Sequence, residues 1–349
     1  MKIGFLSENL VERFARLAGV IPMPILDTFH TIVYARVIMV ATKLGVFEAL
    51  EDGSATVDEV AKHCGTDLRA TTTLLDAVTG TGYLRFFEGR YALAPVARKW
   101  LLRSSPNSLY DNMIWRFAEW DIIARLEDFV RTGKHLNVHA DFPSEMWPLY
   151  QRGMRSLSGL SAAEVARRTP VPRGATAMLD IGGSHGFYSV NLCRRHPALR
   201  STILDLPAAV EHAAPILASE NMGDRVVHRA GNALADDLGE GNYDLVFVAN
   251  LIHHFDAPTN AALARRVARA LRPGGYYVNL EVLRRESPDE PGQTGALLNA
   301  FFALTSESGT WSFGEMAGWQ RDAGLLPRKP IRLATLPGGG IQAAVKPEP

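Results

Sequence analysis

The sequence predicts an α/β fold: a mostly parallel, helix-covered sheet with an antiparallel C-terminal edge, behind an α-helical N-terminal domain. Three observations predict it. From residue 175 on, apolar runs (ATAMLDI, STILDL, RVVHRAG, YDLVFVANLI, YYVNLEVL) alternate with helical stretches, the pattern of a parallel sheet buried on both faces. The last stretch, IRLATLPGGGIQAAVK, reads as two strands joined by a Gly-rich turn. The first hundred residues carry helix periodicity and caps instead. The chain has 349 residues, 47% apolar and 21% charged, which suits two folded domains. That composition excludes global disorder, and two cysteines exclude a disulfide scaffold.

In chain order, Ser7 is positioned to cap a helix through about Leu17, ended by Gly19 and Pro22. An apolar helix runs from Thr28 to Leu44 and is closed by Gly45. It is apolar on too many faces for a surface helix, which calls for a partner chain as cover. TVDEVAKH (56–63) is a short helix with Thr56 and Glu59 as a capping box. Asp67 caps another helix through Thr79, and YLRFFEGRYAL alternates around Glu88-Gly89-Arg90 as a hairpin. Helix, short helix, helix and hairpin form the winged-helix pattern. A DNA reader needs basic residues on its second helix, yet Asp67 to Gly82 offers Arg69 alone beside Asp67 and Asp76. With 37 basic against 37 acidic residues overall, packing and dimerisation are the expected roles, with no nucleic acid.

Residues 104–170 read as further helices rich in Trp and Met, and TPVPRG (169–174) is a turn with two prolines that marks a boundary. The expected division is therefore 1–105, a winged-helix-like dimerisation domain; 106–172, a helical linker contributing to a substrate pocket; and 173–349, the ligand-binding sheet domain.

The sharpest local feature is Leu179-Asp180-Ile181-Gly182-Gly183-Ser184-His185-Gly186, between a strand and a helix. A dinucleotide loop would read G-x-G-x-x-G, and Ser184 and Phe187 break that register. A strand ending in an acid before Gly-Gly-x-x-Gly suits a ligand with an ammonium group, such as S-adenosylmethionine (SAM), better than one with a pyrophosphate. Asp180 is then expected to act on the amino group through water, and Gly182 through its carbonyl, with Gly183 and Gly186 allowing close approach. Asp205 ends the next strand, where a carboxylate accepts both hydroxyls of a ribose. Asn232 follows the third strand at the place of an adenine edge, or serves as a turn former. Leu206 and Ala233 adjoin these two.

At this point the chain resembles a known family. LDIGGSHG, LDLP at 204–207, LRPGG at 271–275 and the winged-helix N-terminal region are similar to the SAM-dependent class I small-molecule O-methyltransferases. Within that family it resembles the plant caffeate and flavonoid enzymes and their bacterial polyketide-tailoring relatives. The resemblance implies a Rossmann-like class I methyltransferase sheet, an intertwined homodimer and a small aromatic or polyketide-like acceptor. It also implies SAM as cofactor, with S-adenosylhomocysteine (SAH) as product.

The resemblance places a general base in Ile252-His253-His254-Phe255-Asp256, at His253, and a supporting carboxylate at Glu281. A phenol with pKa near 10 is a poor nucleophile at neutral pH, and a histidine can take its proton as the oxygen attacks. A lone carboxylate in an apolar strand also needs a partner, and an imidazole N–H provides one. His254 has two readings, a cap or backbone hydrogen bond and a place against the acceptor. The family's second glutamate falls on Thr310, a departure that loosens the hold on the imidazole. Tyr150-Gln151-Arg152-Gly153-Met154 lies on the family's acceptor-pocket run, giving Tyr150 and Met154 as pocket residues, with Phe301 and Thr305 on later positions.

No uninterrupted apolar run reaches bilayer length, since Arg36 and Lys43 break the longest, and the start has no signal-peptide core. Cys64 and Cys193 stand alone, so a reducing cytoplasm is expected, with no membrane association and no metal. Carbon or nitrogen methylation, and SAM binding without methyl transfer, remain open alternatives.

Overall fold

The computed structural model describes residues 4–139, 142–290 and 292–348. The expected domain ends at Met1 and Pro349 lie outside them. The chain forms two compact units, parted between Ala118 and Glu119.

In the N-terminal unit, α1 (Leu10–Leu17) is capped by Asn9, whose side chain accepts from Glu12 N at 2.9 Å, rather than by Ser7. Helix α2 runs unbroken over Met23–Leu44 through one π turn, Leu26–His30, so it begins five residues before the expected Thr28. Pro24 sits in its first turn, where a missing N–H costs nothing, and Gly45 ends it at φ 81°. By length and composition this helix could cross a membrane, contrary to the expectation of no such run. Arg36 and Lys43 lie within it as ordinary helix formers, and both rest on the ring of Phe117, at 4.5 and 4.6 Å from its centroid.

Helix α3 (Val57–Cys64) carries the Thr56–Glu59 capping box, and Asp67 caps α4 (Leu68–Gly80). Strands β1 (Leu84–Phe87) and β2 (Arg90–Leu93) pair as a hairpin, with Glu88 and Gly89 both at positive φ, as a tight two-residue hairpin turn requires. Phe47, Leu50, Val60, Leu75, Val78 and Leu84 fill the core. Helix α5 (Pro95–Trp100) follows, then α6 (Tyr110–Ile123), inside which the two units part.

The second unit continues with helices α7 (Leu126–Thr132), α8 (Met146–Ser158) and α9 (Ala162–Arg168). Then come β3 (Ala177–Ile181), α10 (Phe187–Arg195), β4 (Arg200–Asp205), α11 (Pro207–Ser219), β5 (Val226–Ala230), β6 (Tyr243–Ala249) and α12 (Ala257–Ala270). The chain ends with β7 (Leu271–Val282), α13 (Gln293–Thr305), α14 (Phe313–Asp322), β8 (Leu326–Pro327), β9 (Ile331–Arg332) and β10 (Gly339–Val345). The sheet order is β5-β4-β3-β6-β7-β10-β8, with β9 on β10. Strands β3 to β7 run parallel, and β10 is antiparallel to β7. This is the expected mostly parallel, Rossmann-like sheet with its antiparallel edge. Strand β7 begins directly at Leu271, so LRPGG enters the strand with a register shift instead of preceding it. The expected strand in IRLATL is only the two residues of β9.

Candidate active site

The strand order reverses between β3 and β6, and ligands of open α/β sheets bind at the carboxyl ends of strands at such a point. The backbone there is strained. Ser184, after β3, and Asn250, after β6, are two of the four non-glycine residues at positive φ among the described residues, at 51° and 50°.

The loop after β3 is built to leave space and unpaired polarity. A Cβ at Gly183 would stand 2.5 Å from the Asp180 carboxylate, so only glycine lets the loop close over that side chain. Gly182 donates its N–H to Leu204 O at 2.8 Å, tying the loop to β4. Asp180 is 1% exposed. Its Oδ2 accepts from Ser189 Oγ at 2.6 Å, and its Oδ1 has no hydrogen-bond partner among the described residues. Burial pushes the carboxyl up to about 7; Ser189 opposes the rise and the Asp205 charge adds to it. A buried acceptor without a donor is costly unless a ligand supplies one.

Asp205 is fixed by two backbone donors, Ser184 N to Oδ2 and Leu206 N to Oδ1, both at 2.8 Å. Each carboxylate oxygen keeps lone pairs for a diol. Ser184 O faces His228 Nε2 at 2.8 Å, and Ser184 Oγ donates to Gln151 Oε1 on α8. The loop is thus gripped from β4, β5 and α8. Asn232 follows β5 and is exposed; its Oδ1 accepts from Leu234 N at 2.9 Å, a local turn bond. Ala233 O accepts from Arg266 Nε at 3.1 Å. An unpaired acceptor beside a glycine loop, with a second carboxylate one strand away, fits an ammonium and a ribose diol.

Across the switch point, Ile252-His253-His254 form a 3-10 turn after β6. His253 Nδ1 and Glu281 Oε2 are 3.0 Å apart, and both residues are buried. The other Glu281 oxygen accepts from Ile252 N at 3.0 Å, so one carboxylate holds both the imidazole and the turn that carries it. Ile252 O accepts from Trp311 Nε1 and Asn260 Nδ2, each at 2.9 Å, and His253 O accepts from Gly309 N at 3.2 Å. The Phe302 ring lies on His253 at 3.9 Å between centroids. His254 neither caps α12, a role taken by Asp256, nor binds backbone: its Nδ1 is 2.7 Å from Ser306 Oγ. Its ring meets that of His139 edge-on at 4.7 Å. Burial depresses both imidazoles, His139 to about 4 and His254 well below its ordinary value, and the neighbouring His253 adds to each shift. Both are neutral at pH 7. Tyr150, Trp147 and Phe142 continue this wall, with His139 5.0 Å from Tyr150.

With this geometry in place, the likeness to known proteins becomes decisive. Residues 133–312, just over half of the chain, match the family model of the O-methyltransferase domain, and residues 26–103 match the O-methyltransferase dimerisation domain. The chain belongs to the O-methyltransferase family. It is a SAM-dependent methyltransferase. A relative from Streptomyces sahachiroi, 3-hydroxy-5-methyl-1-naphthoate 3-O-methyltransferase, is 29% identical over 88% of this chain and 90% of its own. The N,N-dimethyltransferase OxyT of Streptomyces rimosus is 24% identical over 90% and 93%. Human N-acetylserotonin methyltransferase in complex with SAM has the same fold, with TM-score 0.82 and 19% identity over 99% of this chain and 100% of that one.

In this methyltransferase the structure brings Asp180, Gly182, Gly183, Gly186, Asp205 and Leu206 together around one loop, and His253 onto Glu281. Asn232 and Ala233 lie past β5 with local partners. Met154 is half-buried on α8, one turn beyond Tyr150. The side chain of Phe301 meets Phe302 at 5.6 Å, and the Thr305 hydroxyl is returned to Phe301 O at 3.1 Å. Phe302 and Ser306, one position further along the chain, are the residues that touch His253 and His254. Sequence reasoning missed them, along with His139, Phe142 and Gln151. The i, i+4 spacing of Phe302 and Ser306 was a visible signal, but the phase of α13 could not be set without its neighbours. Thr310, in the place of the family's second glutamate, gives its N–H and its hydroxyl to Asn299 Oδ1, both at 2.9 Å.

Proposed function

We propose that this methyltransferase transfers the methyl group of SAM to a hydroxyl of a small aromatic or polyketide-like metabolite, with His253 as general base. The buried His253–Glu281 pair carries the reading. A carboxylate at Nδ1 holds the proton there and leaves the lone pair on Nε2. Nε2 then accepts the acceptor's hydroxyl proton, and Glu281 stabilises the imidazolium that forms. When bound, the sulfonium supplies an activated methyl, so the protein's part is alignment and proton removal. Asp180 would take the ammonium of the donor and Asp205 its ribose, with Gly182, Gly183, Gly186 and Leu206 beside them. Tyr150, Met154, His254, Phe301 and Thr305 would contribute to the acceptor side, where neutral imidazoles and aromatic rings suit a flat, uncharged ring system. The test is incubation with SAM and a panel of phenols and naphthols, with the product's new methyl located by NMR. The likeness to OxyT favours a second reading, a nitrogen acceptor, which an N-methyl signal would establish instead.

Gly183→Ala is expected to cost about 1–3 kcal/mol of stability and to weaken SAH binding at least tenfold, because the new methyl must displace Asp180. Thermal unfolding and calorimetry measure the two effects.

Residues 1–105 are assigned to dimerisation, 106–172 to a helical segment contributing to the acceptor pocket, and 173–349 to the donor-binding sheet; the setting is cytoplasmic. A homodimer is expected, covering α2, where Phe29 and Ile32 are 63% and 53% exposed. Light scattering at micromolar concentration should give twice the chain mass, and Phe29→Asp with Ile32→Asp should give monomers. A wild-type monomer would sink the assignment.

A further inference from the structure

Gln151 lies on α8, within the run aligned with the acceptor pocket, but its contacts are with the glycine loop. It is 0% exposed, its Oε1 accepts from Ser184 Oγ, and its Nε2, with two N–H donors, has no hydrogen-bond partner among the described residues. A buried amide left without acceptors is costly. The same loop carries the opposite deficiency: the Asp180 carboxylate is packed against Gly183, and its Oδ1 lacks a donor. Two unsatisfied buried groups of opposite sense therefore border consecutive loop residues, Gly183 and Ser184. A ligand that answers both presents a cation to Asp180 and an anion to Gln151, as an α-amino acid does with its ammonium and carboxylate.

We propose that Gln151 binds the carboxylate of the amino-acid end of the methyl donor, opposite Asp180 on its ammonium. This rests on the donor-site reading above and adds to it a residue from outside the sheet. Ser184 orients the amide: with Oε1 engaged by the Ser184 hydroxyl, Nε2 is directed away from that bond. The hydroxyl is itself held in place, since Ser184 N is bound to Asp205 and Ser184 O to His228. Helix α8 also carries Tyr150 and Met154, so the residue that senses the donor's carboxylate shares a rigid element with the acceptor wall. A neutral amide suits a carboxylate that leaves as part of the product, because it holds the anion without the tighter grip of a charge pair.

The test is calorimetric and independent of turnover. Full-length wild type, Gln151→Ala and Asp180→Asn are titrated with SAH and with S-adenosyl-3-thiopropylamine, which keeps the ammonium but lacks the carboxylate. Wild type should prefer SAH. Gln151→Ala should bind SAH at least tenfold more weakly yet bind the amine within twofold of wild type, a result that also shows the variant is folded. Asp180→Asn should weaken both. Gln151→Glu, which sets a negative charge against the carboxylate, should invert the preference in favour of the amine. Equal losses for both ligands in Gln151→Ala would make the residue only a support for the loop and overturn the proposal, as would no loss for either. A wild type that binds neither ligand would overturn the donor-site reading and this inference with it.

Discussion

Replacing His253 with alanine is expected to lower turnover of the accepted phenol by about 10²- to 10⁴-fold while leaving SAH affinity within twofold. The asymmetry follows from position. His253 stands on the β6 side of the switch point, and its side-chain hydrogen bond and ring contacts among the described residues are with Glu281, His254 and Phe302, none of them on the loop of Asp180 and Ser184. Glu281→Gln keeps the bulk and an acceptor for Ile252 N, but sets an amide against Nδ1 and removes the charge that favours the imidazolium. It should lose about 10²-fold or more in kcat for tautomer reasons. His254→Phe should retain most of kcat and raise the acceptor's KM, because His254 is tied to Ser306 and not to Glu281. Steady-state kinetics on the three variants decides among these roles. Equal losses in His253→Ala and His254→Phe would remove the case for His253 as the base.

Asp180→Asn is expected to weaken SAH binding at least tenfold and, in the same molecule, to stabilise the ligand-free protein increasingly as pH rises from about 4 to about 8. Burial raises this carboxyl to about 7, far above the ordinary aspartate value near 3.9. Between those values the folded protein retains a proton that the unfolded chain has released. The unfolded state binds fewer protons there, so stability falls as pH rises through the window, and the loss is complete above it. Asparagine has no charge to bury and escapes the loss. The gain should therefore be small near pH 4, grow toward pH 7 and reach a few kcal/mol at pH 8. Thermal unfolding across that range measures it. Binding should show the mirror image in wild type: an ammonium partner favours the ionised carboxylate, so SAH affinity rises with pH up to about 7 and binding releases a proton. Calorimetry in buffers of different ionisation enthalpy reads that proton. A pH-independent affinity would separate Asp180 from the donor's ammonium.

The departure at Thr310 takes a concrete form. Behind His253, at the departure the sequence showed, there is a neutral clamp: Asn299 holds Thr310, and the flanking Gly309 and Trp311 hold the carbonyls of His253 and Ile252. The imidazole is oriented by one charge and several backbone bonds, which keeps the turn in place and leaves Glu281 as its one carboxylate contact among the described residues.

What the sequence determined by itself was whatever depends on short-range chemistry. The capping box at Thr56–Glu59, the Asp67 cap, the Glu88-Gly89 hairpin and the strand–glycine–helix unit at 179–186 are local, because their hydrogen bonds close within a few residues. The need for a partner at Glu281 was also legible, since a carboxylate in an apolar strand cannot stay unpaired. Tertiary structure decided the rest. The cap of α1 shifted because a cap is chosen by which backbone donor meets a side chain, not by residue type alone, and α2 starts earlier without a side-chain cap, at Pro22. The phase of α13, which sets Phe302 and Ser306 on the histidines, depends on packing against residues 49 and 52 positions away in sequence. The two unsatisfied groups at Asp180 and Gln151 exist only in the folded chain, where burial removes the water that would otherwise satisfy them and makes polarity a demand for a ligand.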